Sequence, residues 1–284
     1  MIALGSIRNL IIDMDGVLWR GEIAMPNMPQ FFETLRRLGI NFVLATNNAA
    51  KSGLEFTQKL ARLGTTVSVD EILTSSQATA SHLARHTPNA RIYVVGEDGL
   101  KSELRAKGLA VVEPVDWESA DHVVVGIDRT LTYTKLCDAC LLIRGGATFI
   151  GTNPDVTFPG ERGIVPGNGA IVQLLRASTN VEPLIIGKPQ PTMMILSMER
   201  MGGTPHDTAV LGDRLDTDIL GGINAGLTSI MVTSGVNSRA EAETGTIRPD
   251  YIFADITDTA AALVKARETT DDLSGAGIFE RMNW

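Results

Sequence analysis

The chain has few cysteines and no surplus of positive charge. Cys137 and Cys140 are its two cysteines among 284 residues, and no second Cys or His pair has the spacing that would complete a structural zinc site. We interpret both as small residues on the buried face of a helix. The 25 basic and 33 acidic residues give a net charge of −8, which disfavours a general nucleic-acid or membrane-surface binder.

Long hydrophobic runs are also missing. No run of about 18 apolar residues occurs, and the first residues lack the basic region, apolar core and small-residue cleavage site of a signal peptide. We therefore expect a cytoplasmic protein without a membrane or nucleic-acid partner. Its hydrophobic content of 44% is enough for one large or two modest domains.

The clearest chemical signal lies near the N-terminus. The apolar run Leu10–Ile12 predicts a buried strand, which is followed by Asp13 and Asp15. Residues i and i+2 of an extended chain point to one side, so both carboxylates should face one spot and favour a cation, or a proton on one of them. An EF-hand calcium loop does not fit, because its fifth and twelfth positions would be Val17 and Ala24.

Polar residues also follow the second predicted strand. Thr46, Asn47 and Asn48 come after a strand from Asn41 and before a helix predicted over about Ala49 to Leu63. A helix N-terminus presents unpaired N–H groups that can seat a phosphate, although N-capping by Asn48 is the simpler interpretation. The position at a strand end favours binding.

Two later predicted strands end in charged residues. Lys188 follows the strand 183–187, and its place before a proline-guided helix start favours a charge clamp for phosphate. Asp213 follows the strand 208–212, and Asp218 lies just beyond it. Acids at the end of a core strand are costly if unpaired, so we expect a cation there.

These four strand ends are expected to lie in one parallel sheet, at the edge where ligands bind. Two acids, a phosphate seat, a lysine and a metal-binding acid together predict phosphoryl transfer with a carboxylate nucleophile. The strands and helices of residues 83–182 alternate as a block of their own. We predict an α/β protein with a core of residues 1–82 and 183–284, an inserted α/β domain over 83–182, and a mobile C-terminal tail from about 269.

Two shorter segments complete the prediction. The glycine-rich residues 163–169 are interpreted as a plain connection into a helix, because they lack the Lys-Ser/Thr of a P-loop. The last helix is predicted over 258–265.

Four motifs in this order resemble those of the haloacid dehalogenase superfamily of phosphatases: Asp13-Met-Asp15-Gly-Val, Thr46-Asn47-Asn48, Gly187-Lys188-Pro189 and Gly212-Asp213-Arg-Leu-Asp-Thr217-Asp218. Together with Gly151-Thr-Asn-Pro-Asp155, the inserted block is similar to the large C2-type α/β cap of the NagD-type branch. The resemblance covers nearly the whole chain. It implies a Rossmann-like, doubly wound parallel-sheet core that carries an inserted α/β cap domain.

The resemblance also implies roles for the acidic residues. Asp13 would attack the phosphorus and form an aspartyl-phosphate. Asp15 would protonate the leaving alkoxide and then deprotonate the hydrolytic water. Mg²⁺ would be held by the carboxylates of Asp13 and Asp213 and by the main-chain carbonyl of Asp15, with Asp218 supporting the site from behind these ligands.

The remaining site residues follow from the same resemblance. The implied phosphate-binding residues are Thr46, Asn47, Asn48 and Lys188. Cap residues near Asn153, Asp155 and Asp128 are expected to line the substrate pocket. A proline-containing turn is an equal interpretation of residues 151–155, and a salt-bridged turn is the favoured one for Asp128.

The predicted function is Mg²⁺-dependent hydrolysis of a small phosphate monoester; sugar phosphates, glycerol phosphate, phosphoglycolate, pyridoxal phosphate and nucleotides all fit. The alternatives are a phosphotransferase of the same superfamily and a non-enzymatic phosphate-binding or receiver module. Sugar-phosphate mutases usually carry a helical cap just after the first motif, where residues 19–29 are too few. A receiver would lack the inserted block and the acid at Asp15. A homo-oligomer that forms through exposed cap surfaces is also compatible with the sequence.

Overall fold

The computed structural model describes residues 1–160 and 163–279. Its strands are β1 (Asn9–Ile12), β2 (Trp19–Arg20), β3 (Ile23–Ala24), β4 (Asn41–Thr46), β5 (Ile72–Thr74), β6 (Arg91–Val95), β7 (Ala110–Val111), β8 (His122–Val125), β9 (Thr148–Gly151), β10 (Thr157–Gly160), β11 (Gly163–Pro166), β12 (Leu184–Ile185), β13 (Thr208–Gly212), β14 (Thr228–Val232) and β15 (Tyr251–Phe253). Its helices are α1 (Met28–Arg37), α2 (Gly53–Arg62), α3 (Ser75–His86), α4 (Asp98–Ala106), α5 (Tyr133–Arg144), α6 (Asn168–Thr179), α7 (Pro191–Arg200), α8 (Leu220–Asn224), α9 (Arg239–Thr244) and α10 (Ile256–Phe279).

The chain divides into two compact units, and the first comprises residues 1–45, 57–72 and 194–284. It is built on a sheet with the strand order β15-β14-β13-β1-β4-β5. The pairings of β1 with β13 and β4, and of β14 with β13 and β15, are parallel. Every residue of β1, β13 and β14 is buried, as expected for parallel strands covered on both faces.

The strand order of this sheet places a switch point next to β1. The chain proceeds from β1 to β4 and β5 on one side, and later to β13, β14 and β15 on the other. Ile12 pairs with Leu211 of β13, and the Asp13 N–H donates to the Leu211 carbonyl at 2.9 Å. Ligands of open α/β sheets bind at such a switch point, beyond the carboxyl ends of the strands.

The second unit comprises residues 46–56 and 73–193. Its sheet has the order β12-β9-β8-β6-β7 with parallel pairings, and β10 and β11 form a separate antiparallel pair. Helix α5 carries Cys137 and Cys140 as free cysteines, and Cys140 packs against the core of this unit. Both sheets alternate with helices, which confirms the predicted α/β class, the Rossmann-like core and a second α/β unit. The domain limits at 82/83 and 182/183 stay a prediction.

One predicted sheet membership is wrong. The strand before Lys188 does not join the first sheet, because β12 pairs with β9 in the second sheet, with Leu184 opposite Ile150. β9, α6 and β12 form a β-α-β unit, in which the second strand returns parallel beside the first. Gly151 makes this pairing compact, since a Cβ there would lie 2.7 Å from Ile185 Cδ1.

Helix α2 begins at Gly53, later than predicted. Ser52 is its N-cap, because the Glu55 N–H donates to Ser52 Oγ at 3.3 Å and Glu55 Oε2 accepts from the Ser52 N–H at 2.8 Å. The bond from the Ser52 backbone also lowers the pKa of Glu55. Asn48 closes the preceding turn instead, with its Oδ1 accepting from the Ala50 N–H at 2.9 Å. Asn48 is therefore not followed directly by a helix.

Two further segments are more regular than predicted. Residues 163–166 form β11, which pairs with β10 so that Val165 lies opposite Phe158, rather than a plain connection. β-Branched residues favour such a pleated pair. Helix α10 extends to Phe279, because no proline occurs in residues 266–279 to end it. Residues 269–279 of the predicted mobile tail are thus helical, and the mobility of the tail stays a prediction. Its last residues, 280–284, lie outside the described residues.

Across residues 1–160 and 163–279, no helix combines the length and the hydropathy needed to cross a bilayer.

Candidate active site

Three carboxylates of the first unit converge beyond the carboxyl ends of β1 and β13. Among the described residues, Asp13, Asp213 and Asp218 each offer one oxygen, and these oxygens lie within 4.8 Å of one another. Asp213 is 0% and Asp218 is 1% exposed. Anions held this close and this far from water need a compensating cation or a proton. An all-oxygen donor set is what Mg²⁺ and Ca²⁺ prefer, so these residues fit a hard divalent cation.

The loop after β14 holds Asp213 in place. Asp213 Oδ2 accepts from the Val236 N–H at 2.7 Å, and the Asp213 carbonyl accepts from the Asn237 N–H at 3.2 Å. Ser234 Oγ donates to the Gly16 carbonyl at 2.8 Å, which ties this loop to the turn after Asp15. This loop has no charged residue and matches no motif. In the sequence, only its position after a buried strand indicates that it belongs to the site.

Glycine is required on both sides of the Asp213 carboxylate. A Cβ on Gly16, whose φ is +86°, or on Gly235 would overlap the Asp213 carboxylate. Gly212 has the same relation to Asp218. The two buried carboxylates therefore occupy space that any larger residue at these positions would fill.

Gly235→Ala is expected to destabilise the protein by about 1–3 kcal/mol, because the new methyl group and the Asp213 carboxylate cannot occupy the same space. Urea unfolding measures this loss. Gly99→Ala is the matched control: Gly99 lies in α4, and a Cβ there would be 3.5 Å from the Ala50 carbonyl oxygen, an ordinary contact. Equal stability of the two variants would contradict the crowding around Asp213.

The carboxylate of Asp15 is not among these three and bonds to a different group. Its Oδ1 accepts from Trp19 Nε1 at 2.7 Å, and Trp19 is 0% exposed. β1 ends at Ile12, so Asp15 lies beyond the regular strand and the two-residue alternation no longer fixes its direction. Asp13 and Asp15 thus have different surroundings: Asp13 lies among carboxylates, and Asp15 accepts a hydrogen bond from an indole.

In the second unit, Asn47 and Lys188 are joined through the Lys188 backbone. Asn47 Nδ2 donates to the Lys188 carbonyl at 2.9 Å, and the Lys188 N–H donates to Asn47 Oδ1 at 2.8 Å. The Asn47 carbonyl in turn accepts from Asn153 Nδ2 at 2.8 Å and from Ser75 Oγ at 2.7 Å. Asn47 and Lys188 are 8% and 3% exposed. The Asn47 side chain therefore positions Lys188.

The neighbouring polar residues belong to the same network. Thr46 Oγ1 accepts from the Asn48 N–H at 3.1 Å, and Thr46 is buried. Asn168 Nδ2 donates to the Asn153 carbonyl at 2.8 Å, and the Asp155 N–H donates to Asn153 Oδ1 at 3.2 Å. Asn168 carries no motif and could not be singled out from the sequence. Asn153 is thereby held from both sides.

Asp128 forms the salt-bridged turn that its sequence context favours. Lys135 Nζ donates to Asp128 Oδ2 at 2.7 Å, and the Thr130 hydroxyl donates to Asp128 Oδ1 at 2.8 Å. Burial, the largest influence, raises the pKa of Asp128, but the hydrogen bonds from Lys135 and Thr130 outweigh it and the pKa lies below its ordinary value. The charged form is therefore favoured at neutral pH.

Lys135→Met is expected to destabilise the protein by about 2–4 kcal/mol at neutral pH, because the buried Asp128 carboxylate loses its cation. A depressed pKa stabilises the fold above the ordinary value of 3.8, so the difference in unfolding free energy from wild type should shrink as the pH falls through and below that value. Urea unfolding at several pH values measures it. Lys101→Met, which removes an exposed pair with Asp98 at 3.5 Å, should cost less than about 1 kcal/mol; equal losses would contradict this account.

Family models match both ends of the chain. Residues 10–110 match the model described as haloacid dehalogenase-like hydrolase, and residues 185–259 match a second one described as HAD-hydrolase-like. These two ranges contain every predicted catalytic, phosphate-binding and metal-binding residue.

Similar proteins include several phosphatases. The acid sugar phosphatase of Staphylococcus aureus is 39% identical over 255 residues, which are 90% of this chain and 97% of that protein. The crystal structure of a 4-nitrophenylphosphatase from Thermotoga maritima matches with a TM-score of 0.86 and 36% identity, over 92% of this chain and 98% of that one. A glycerol phosphate phosphatase of Mycobacterium tuberculosis, solved in complex with magnesium, matches with a TM-score of 0.83 and 36% identity, over 91% and 78%.

Proposed function

Since the chain belongs to the haloacid dehalogenase-like hydrolases and is a phosphatase of phosphate monoesters, we propose that it is a Mg²⁺-dependent hydrolase of small phosphorylated metabolites that works through an aspartyl-phosphate on Asp13. The family and the enzyme class agree with the resemblance of its four motifs, and the nitrophenylphosphatase neighbours support the NagD-type branch. One observation carries the proposal: oxygens of Asp13, Asp213 and Asp218 lie within 4.8 Å of one another beyond the carboxyl ends of β1 and β13.

Asp13 is the proposed nucleophile. It is half-buried at the end of β1, whereas Asp213 and Asp218 are fully enclosed, so among the three it is the one that a substrate can reach. One of its oxygens attacks the phosphorus, the bond to the leaving oxygen breaks, and an acyl phosphate forms on the side chain. Attack of water on that phosphorus then releases inorganic phosphate and regenerates the carboxylate.

Asp15 is the proposed acid and base for these two steps. In the first step its carboxyl group gives a proton to the leaving alkoxide, and in the second step the resulting carboxylate takes a proton from the attacking water. Its exposed position beside Asp13 leaves it open to both partners.

Asp13, Asp213 and the main-chain carbonyl of Asp15 would hold the Mg²⁺, and Asp218 is near enough to the other two carboxylates to ligate directly or through a water. When bound, the ion neutralises charge between an anionic nucleophile and an anionic substrate. Magnesium in the related glycerol phosphate phosphatase supports this choice of ion.

Thr46, Asn47, Asn48 and Lys188 are proposed to bind the phosphate group. Lys188 supports this role because its backbone is fixed by Asn47 on both its N–H and its carbonyl, so little backbone freedom remains to be lost on binding. A lysine held in this way supplies a point charge for phosphate.

The test is a phosphatase assay of the purified protein with and without Mg²⁺. p-Nitrophenyl phosphate should be hydrolysed with Mg²⁺ and not after chelation. A panel of sugar, glycerol, glycolate, pyridoxal and nucleotide phosphates then ranks the substrates by kcat/KM. Undiminished turnover in chelator would remove the metal from the mechanism, and phosphate transferred to added alcohols in place of water would favour the phosphotransferase.

A further inference from the structure

The hairpin that follows Asp15 carries a fully buried tryptophan. β2 and β3 pair so that Trp19 lies opposite Ala24, and Trp19 is 0% exposed. The Trp19 carbonyl accepts from the Gly16 N–H at 2.8 Å, which closes the turn between Asp15 and the hairpin. The chain from Asp15 to Trp19 is thus one tight loop whose geometry is set by its own backbone.

The indole N–H of Trp19 fixes the carboxyl group of Asp15. An indole can only donate, and Nε1 donates to Asp15 Oδ1 at 2.7 Å. Because Oδ1 is engaged as an acceptor, Oδ2 is the oxygen that would carry a proton. The bond therefore selects both the rotamer of Asp15 and the oxygen that does the proton transfer.

Lys59 lies over the face of the indole ring. Its ammonium lies 4.5 Å from the centroid of the Trp19 ring and donates to the Gly21 carbonyl at 2.6 Å, at the turn of the hairpin. Glu22 Oε1 is 3.3 Å away. Lys59 is only 6% exposed, so this cation is largely withdrawn from water and its contacts with the ring and the carbonyl are little screened. The hairpin and the ring are thereby pinned to α2.

We propose that Trp19 and Lys59 are positioning residues for the proton-transfer group Asp15: Trp19 orients its carboxyl group, and Lys59 keeps the indole in place. This inference rests on the proposed function of Asp15. Misplacing a catalytic group by a small distance costs far more in rate than in stability. The expected signature is thus a loss of acid catalysis in a folded protein.

Two aryl phosphates of nearly the same shape separate acid catalysis from other losses. 4-Nitrophenolate is a stable anion and leaves without a proton, whereas phenolate is more basic and gains from an acid. kcat/KM reports the steps up to departure of the leaving group, so the ratio of kcat/KM for phenyl phosphate to that for p-nitrophenyl phosphate measures the contribution of Asp15.

Trp19→Phe keeps a ring under Lys59 and removes the N–H. We expect it to lower kcat/KM for phenyl phosphate by about tenfold or more, and that for p-nitrophenyl phosphate by less than about threefold. In a protein that already carries Asp15→Asn, adding Trp19→Phe should not lower the ratio further. Trp117→Phe, in the second unit, is the matched control and should leave the ratio unchanged. An unchanged ratio in folded Trp19→Phe overturns the role of Trp19.

Lys59→Met removes the charge and keeps the length of the side chain. We expect the ratio to fall by less than it does in Trp19→Phe. A lower melting temperature with an unchanged ratio would show that Lys59 only stabilises the fold. Lys101→Met is the control. If Trp19→Phe does not fold, replacement of Trp19 by benzothienylalanine, which has the same shape without the N–H, gives the same reading.

The outcomes separate this inference from the function on which it rests. A wild-type protein that hydrolyses neither aryl phosphate with Mg²⁺ would sink the proposed function. If the wild type is active, Asp15→Asn lowers the ratio and Trp19→Phe does not, only the inference about Trp19 is contradicted.

Discussion

Asp13→Asn is expected to lower kcat for p-nitrophenyl phosphate by roughly 10⁴- to 10⁶-fold, because the neutral amide cannot form the acyl phosphate. The fold should survive, since Asn has the same size and Asp13 is only half-buried. Without divalent cations the variant should be as stable as wild type or more so, because one charge leaves a cluster in which Asp213 and Asp218 lie within 4.8 Å. Phosphate release and urea unfolding measure the two effects.

Asp216→Asn is the control for this loss. Asp216 is close in sequence to the cluster, but its side chain is 65% exposed and pairs with Arg214 at 3.0 Å. Its removal should change neither turnover nor stability by much. Wild-type turnover in Asp13→Asn would show that another group attacks the phosphorus.

Asp213→Asn is expected to weaken Mg²⁺ binding by about 100-fold or more, since even groups behind the metal ligands contribute up to that much. Asp213 is 0% exposed and its Oδ2 already accepts from the Val236 N–H, so an amide cannot turn to replace the lost charge. Calorimetric titration with Mg²⁺ reads this directly, and the rise in melting temperature with added Mg²⁺ should disappear.

The same exposed control applies to the metal site. Asp216→Asn should bind Mg²⁺ as wild type does, because its carboxylate is absent from the cluster. Equal Mg²⁺ affinity in Asp213→Asn and wild type would place the ion elsewhere.

Local patterns in the sequence are enough to predict which strands end in candidate site residues. The runs that end at Ile12 and Gly212 are short, apolar and followed by acids, and both become fully buried parallel strands. Burial on both faces leaves such strands no position for a solvated charge, so the first charged residue marks where the strand ends. The α/β class and the placement of Asp13 beside Asp213 follow from these local signals.

Pairing partners are not local, and for the strand before Lys188 the partner could not be predicted. The strand before Lys188 has the same apolar pattern as β1, yet it pairs with β9 because the chain reaches it through α6. Nothing in residues 183–187 distinguishes one sheet from the other. The start of α2 is a smaller case, in which the capping pair Ser52 and Glu55 outweighs Asn48.

Some uncharged residues around the site were also beyond prediction. Val236 contributes a backbone N–H and Gly235 contributes the absence of a side chain, and neither property has a sequence signature. In the sequence, Trp19 is typical of a core residue, and its exposed fraction of 0% is consistent with that. Only the distance from Nε1 to the Asp15 carboxylate separates the two meanings.

The most direct test of the covalent mechanism is a search for phosphate on residue 13. In Asp15→Asn, p-nitrophenyl phosphate should still phosphorylate Asp13, because nitrophenolate leaves without a proton, whereas hydrolysis of the acyl phosphate lacks its base. We expect a burst of about one nitrophenol per enzyme molecule, followed by slow release. After acid quenching and borohydride reduction, peptide mass spectrometry should find homoserine at position 13. Release without a burst and an unmodified Asp13, in a protein whose wild type turns over, would contradict the account.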